Sequence, residues 1–468
     1  MLPPTETAWL SIRALGRKLR AKEFSAVQLA EFFLDRCERH GKALNAVVAV
    51  TRELALKQAA EADRELAAGV DRGPLHGIPY GAKDLLATVG IPTSWGAAPL
   101  KDQLIDEDAT VVRRLREAGA VLVAKLSMVE IAGGLGYEQA NASFTGPGLN
   151  PWNREAWSGG SSSGPGSAIG AGIAPFAIGS ETWGSIVTPA GYCGVSGLRP
   201  TYGRVSRHGA MALSWTMDKL GPLARTADDC GLVLAAIAGA DPADPSASPR
   251  EYRYPDAAPP RPPFRLAILK GSTEAIQPEV KANFEASLDV LRPHATFTEI
   301  ELPDLPYGTV AGTIIACEMA AAFEGLVADG RIWEMTAPED RIGAHASLAI
   351  PAKDYINAQR IRRKIQQAID ALLAPFDALA APALSTVAGP IAVNFRDYHQ
   401  QWSGKTSGGA ENASGIPAIS VPNGFGERGL PTGLKFVGRA FEENRLLAIA
   451  AAYQELTDWH ERRPPGLD

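Results

Sequence analysis

Cysteine is scarce in this chain: four residues in 468, at positions 37, 193, 230 and 317, with no C-x-x-C and no short spacing. That excludes a zinc ribbon and a disulfide-stapled secreted scaffold. Nowhere do about 18 apolar residues run together, so no membrane-spanning helix is expected. Charges interrupt the opening MLPPTETAWLSIRALGRKLRAKEF, which leaves no signal-peptide core. Positive charge is not in excess either. Lys and Arg total 46 against 52 Asp and Glu, a formal charge of −6, which argues against a non-specific nucleic-acid binder. G-x-x-x-x-G-K-[ST], G-x-G-x-x-G and H-E-x-x-H are all missing, so neither a nucleotide cradle nor a metal site is supported.

What remains is an ordinary soluble composition, 46% hydrophobic and 21% charged, in a chain long enough to bury a large core without staples. Ser25 and Gln28 form an S-x-x-Q capping box ahead of a helix reaching about His40. Ala46–Val50 reads as a strand, Arg52–Ala68 as a helix, Gly77–Tyr80 as the lead into a strand-like segment carrying Lys83. Thr110–Ala118 is a helix before the strand Val121–Ala124. After a segment at 241–263 with eight prolines, the alternation resumes. Strands are expected at Arg265–Lys270, Phe297–Leu302, Ala418–Val421 and Leu434–Val437. Helices are expected at Glu279–Leu291, Val310–Ala328, Ala352–Leu373 and Asn444–Glu455. Such alternation predicts an α/β fold, a mixed β-sheet core covered on both faces by helices. We expect one domain over 1–468, with 241–263 a surface excursion. The run Arg360, Arg362, Arg363, Lys364 reads as a solvated helix face.

The stretch 158–172, SGGSSSGPGSAIGAG, is the most unusual. Gly160–Gly164 matches G-x-S-x-G, but that elbow needs a strand directly before it and a partner His, and neither is evident. Three polar residues instead sit among small and apolar neighbours: Lys83 in GIPYGAKDLL, Ser161 after Gly159-Gly160, and Ser185 in GSETWGSIVTPAG. These motifs, with CGVSGLRPTYGRVS, KLSMVE, GIPAISVPNGF and GLPTGLKFVG, resemble the amidase signature family over about residues 75 to 440. The resemblance implies a Ser–cis-Ser–Lys triad with Ser185 as nucleophile, Ser161 as the bridging serine behind a cis Gly160–Ser161 bond, and Lys83 as base. It also implies an oxyanion hole from the backbone of Thr182, Trp183, Gly184 and Ser185, and places Met128 at the acyl pocket. The chemistry is coherent in itself. A serine hydroxyl needs a positioned base, and lysine serves only when burial strips its charge.

Departures from the family pattern are Trp183 where Gly is common, Val187 where Arg often stands, and Ser163 and Pro165. The implied function is hydrolysis of linear amides, extending to carbamates, urethanes and esters, through an acyl-enzyme. The alternative is the glutamine-hydrolysing A subunit of a tRNA-dependent amidotransferase. Against that alternative, Lys405 stands seven places before Asn412, where that protein carries an acidic residue. The first reading implies a cytoplasmic enzyme with a small-molecule substrate, no cofactor, no metal, no nucleic acid and no membrane, as a monomer or homodimer.

Overall fold

The computed structural model describes residues 2–256 and 258–467, so residue 257 of the proline-rich segment, and residues 1 and 468, lie outside it. Eleven strands form one mixed sheet: β1 (Val47–Val50), β2 (Pro79–Lys83), β3 (Val121–Leu126), β4 (Phe176–Glu181), β5 (Ser196–Arg199), β6 (Lys219–Ala224), β7 (Phe264–Leu269), β8 (Ala295–Ile300), β9 (Ala378–Pro382), β10 (Ala418–Phe425) and β11 (Pro431–Val437). Their order across the sheet is β1-β3-β2-β4-β6-β5-β10-β11-β9-β7-β8. The pairs β2–β3, β2–β4, β7–β8 and β7–β9 run parallel, and the remaining pairs run antiparallel. Every residue of β2, β3, β4, β5, β6 and β11 is buried, as expected of strands packed on both faces.

Local signals fix the outer elements. Both bonds of the Ser25–Gln28 capping box form, and the helix Ala26–Arg36 follows. The helices Arg52–Ala67, Thr110–Glu117, Ala352–Leu373 and Glu443–Glu455 lie where their apolar stripes put them. The solvated-face expectation fails at Arg362. This side chain is buried, with its guanidinium donating to the carbonyls of Ala413 (2.8 Å) and Thr216 (2.6 Å) and to the Thr216 hydroxyl (2.8 Å). A guanidinium has five donors in a fixed fork, so it can be buried wherever carbonyls meet it. The proline-rich segment is tied down at its start, where Asp241 accepts the hydroxyls of Thr110 (2.6 Å) and Ser206 (2.5 Å).

The Gly/Ser-rich stretch has no helical periodicity, yet Ser163–Gly170 is a helix with all eight residues buried. Its glycines serve close approach. A Cβ at Gly164 would meet the Ser127 backbone N and O at 2.5 Å and the Ala46 O at 2.6 Å, and one at Gly166 would meet Pro189 Cβ at 2.7 Å. The helix is thereby pressed against the end of β3 and against the helix Val187–Cys193, with Ser161 and Ser162 just before its first turn. Gly164→Ala must push backbone apart. We expect it to destabilise the fold by about 1–3 kcal/mol, read as a lowered unfolding midpoint in denaturant.

Candidate functional site

Lys83 ends β2 and is fully buried. Its amine donates to three hydroxyls, Ser161 Oγ at 2.8 Å, Ser162 Oγ at 3.0 Å and Ser180 Oγ at 2.8 Å. Among the described residues no carboxylate comes within ion-pair distance of it. Burial therefore dominates and pushes the ammonium down from 10.5 to about 7, with the charges of Asp218 and Glu181 pulling weakly the other way. Ser161 follows a cis Gly160–Ser161 bond. The neighbouring Ser162 amide donates to the Ser185 carbonyl at 3.3 Å, which brings the two serine segments side by side. The structure thus joins Lys83 to Ser161. The Ser185 hydroxyl makes no hydrogen bond within the protein among the described residues.

Strand alternation sorts the rest of the site. On β4, Ser180 turns toward Lys83, while the next residue, Glu181, turns to the opposite face, where its carboxylate meets Arg199 Nη1 at 2.7 Å. The same carboxylate accepts the amides of Ile186 (2.9 Å) and Val187 (3.0 Å), closing a loop across residues 182–185. Burial alone would raise the Glu181 pKa, yet Arg199, Lys219 and those bonds hold it at about 2. Thr182 is held at its hydroxyl by Asp218 Oδ1 (2.5 Å) and at its carbonyl by Lys219 Nζ (3.2 Å). Within this turn the amides of Trp183, Gly184 and Ser185 find no acceptor among the described residues. Gly184 sits at φ 86°, a left-handed conformation that suits glycine.

Two cavities flank the turn. A cleft of about 380 Å³ is lined by Gly160, Trp183, Gly184, Thr188, Glu411 and Asn412, with Tyr137, Trp157 and Phe395 as an aromatic wall. Its floor is charged: Arg199 bonds Glu411 at 3.1 Å and Lys435 bonds Glu411 at 2.7 Å. A second cavity of about 240 Å³ reaches Ser180, Thr182 and Asp218 from the other side. The Trp183 indole is 41% exposed and lies along a bed of three glycines. A Cβ at Gly308, Gly408 or Gly409 would stand 3.6–3.7 Å from its ring. Val187 is packed in an apolar cluster with Met217 and Ala410, so no cation occupies that position. Met128 is fully buried in the main core and borders neither cavity. Lys405 lies apart from the turn, in a surface hollow with Lys270 and Glu301. Ser162, Ser180, Glu181, Asp218 and Lys219 are members of the site that sequence reasoning missed. For Ser180, Glu181 and Lys219 the available signal was a polar residue in an otherwise apolar strand, and Ser162 and Asp218 stand just before a helix and a strand.

The chain is similar to known proteins along most of its length. The family model described as Amidase matches residues 28–447. The A subunit of glutamyl-tRNA(Gln) amidotransferase from Chloroflexus aggregans is 36% identical over 98% of this chain and 99% of its own length. The native peptide amidase of Stenotrophomonas maltophilia superposes with a TM-score of 0.85 at 32% identity, covering 99% of this chain and 100% of that one. The A subunit of glutamyl-tRNA(Gln) amidotransferase from Thermotoga maritima does so with 0.79 at 26%, covering 97% and 96%. The names of these amidotransferase relatives overturn the expectation of a monomer or homodimer without nucleic acid, since those proteins are one subunit of an enzyme named for a tRNA. Net charge bears on the non-specific affinity of one chain's surface, not on what other subunits hold. On a match that spans most of its length and relatives similar from end to end, this chain belongs to the amidase family of enzymes.

Proposed function

We propose that the protein hydrolyses a carboxamide C–N bond by acyl transfer, with Ser185 as nucleophile, Ser161 as proton relay and Lys83 as base. The observation that carries this reading is the buried Lys83 amine, hydrogen-bonded to Ser161 and to no carboxylate. Neutral Lys83 takes a proton from Ser161 as Ser161 takes one from Ser185, and Ser185 Oγ adds to the substrate carbonyl. The tetrahedral oxyanion forms at the turn whose Trp183, Gly184 and Ser185 amides have no acceptor among the described residues, with Thr182 anchoring the turn. Collapse returns the proton through Ser161 to the leaving amine, and water then repeats the cycle on the acyl-enzyme.

The substrate class divides into two readings. The names of the curated relatives favour the first: the amide is the side chain of glutamine, and the protein works within an amidotransferase whose other subunits deliver the ammonia to tRNA-bound glutamate. A cytoplasmic location goes with this reading; separately, no helix among the described residues is long and apolar enough to cross a membrane. The second reading is a self-sufficient hydrolase of bulkier linear amides, carbamates or esters. It is favoured by the Trp183 indole and the aromatic wall in the cleft, by Lys405 in the place of an acidic residue, and by likeness to the peptide amidase. Ammonia release from glutamine only when partner subunits are added supports the first reading. Turnover of anilides or peptide amides by the purified chain alone supports the second.

Three outcomes follow for the shared chemistry. Lys83→Ala and Ser185→Ala each lower kcat/KM by roughly a thousandfold or more, measured on whichever substrate the panel yields. Because the base is the uncharged amine, kcat/KM rises with pH through about 7 and levels off above it. Glu181, which clamps the turn, has a folded pKa of about 2 against an ordinary 4.5. Its contribution is therefore present above pH 4.5 and lost as pH falls through 2. Glu181→Gln removes one of the two carboxylates that meet the buried Arg199, Glu411 remaining as the other, and costs about 1–3 kcal/mol at pH 7, and the gap from the unaltered protein narrows over that acid window in denaturant unfolding.

A further inference from the structure

Lys219 is a second buried lysine that the acyl-transfer steps do not use. It opens β6 directly opposite Glu181 in the β4–β6 ladder, and it is buried. Its amine donates to the Thr182 carbonyl at 3.2 Å and to Asn412 Oδ1 at 3.0 Å. Asn412 in turn donates to the Gly408 carbonyl at 3.0 Å, at the start of the helix Gly408–Ser414 on which the Trp183 indole rests. Among the described residues no carboxylate lies within ion-pair distance of Lys219. The charged groups around it are Glu181 on β4, Asp218 beside it, Arg199 on β5 and Arg362 on the helix Ala352–Leu373.

We infer that Lys219 is a positioning residue for the oxyanion donors: it holds the Thr182 carbonyl so that the Trp183 amide of the same peptide faces the reacting oxygen. The argument is geometric. The Thr182–Trp183 bond is trans, since it is not among the cis bonds of the chain, and in a trans peptide C=O and N–H point in opposite directions. Fixing the carbonyl on one side therefore fixes the amide on the other. Accepting a hydrogen bond at the carbonyl also polarises the peptide and strengthens its N–H as a donor. With its hydroxyl on Asp218 and its carbonyl on Lys219, Thr182 is held at both ends, so the turn does not reorganise when negative charge develops. The partner is a carbonyl, so the Lys219 contact is a hydrogen bond to a dipole rather than an ion pair.

This inference rests on the reading of Ser185 as nucleophile, and the test separates the two. The probe is an alkyl fluorophosphonate, whose addition to serine places an anionic oxygen in the same donor set without needing a known substrate. In the full-length protein, Lys219→Met is expected to slow labelling of Ser185 by about tenfold to a hundredfold. The pH midpoint of labelling stays near 7, because Lys83 sets it. A folded Lys219→Met protein labelled at the original rate overturns the inference, as does a slowed rate with the midpoint moved, which would mean that Lys219 acts through the charge of Lys83. If Lys219→Met does not fold, Lys219→Gln, whose amide stops short of the Thr182 carbonyl, is read in the same way. Failure of the probe to label Ser185 in the unaltered protein overturns the parent reading instead.

Discussion

The site depends on an amine with nowhere to put a charge. Lys83 is sealed at the end of β2 with three serine hydroxyls around its nitrogen. The same core contains lysines handled in the opposite way: Lys125 lies 3.3 Å from Asp84, and Lys435 lies 2.7 Å from Glu411. A carboxylate beside a buried lysine favours its charged form. An unpaired lysine in a dry pocket loses its proton near neutrality, at a cost on the order of 4–5 kcal/mol for a fall from 10.5 to about 7. A marginally stable protein carries that cost only when the surrounding packing is extensive, and strands buried on both faces supply such packing.

One strand end separates two jobs. Because side chains alternate along β4, Ser180 completes the hydroxyl cage on one face while Glu181 ties the following turn to Arg199 on the other. The hydroxyl cage and the turn geometry are thereby served by adjacent residues without competing for the same partners. The helix Ser163–Gly170 matters equally. Its glycines let it lie against backbone, so Ser161 and Ser162 reach Lys83 from a rigid element rather than from a swinging loop.

Much of this was legible in the sequence, for physical reasons that differ by residue. The Ser25 capping box and the stripe along Ala352–Leu373 are local, and local rules found them. Lys83, Ser161 and Ser185 stood out because polar side chains among small and apolar neighbours need a reason to be there. The helix Ser163–Gly170 escaped because Gly, Ser and Pro are poor helix formers, and only tertiary contact makes the stretch helical. Arg362 escaped because a basic run on a helix does not say which of its members a neighbouring carbonyl will accept. Glu181, Asp218 and Lys219 needed the pairing of β4 with β6, a register set across nearly forty residues of sequence. The amidotransferase A subunit was legible as the alternative through shared motifs, whereas composition spoke only against non-specific nucleic-acid binding.

The chain belongs to the amidase family, and the cleft at the 182–185 turn presents an aromatic wall, a charged floor and an indole. All of it presupposes the state of one nitrogen. The most direct test is an NMR titration of the Lys83 side chain in protein with isotope-labelled lysine, the signal assigned by its loss in Lys83→Met and distinguished from Lys219 by Lys219→Met. A midpoint near 7 is predicted. A midpoint near the 10.5 of an ordinary lysine would leave an ammonium at the centre of the site and contradict the account.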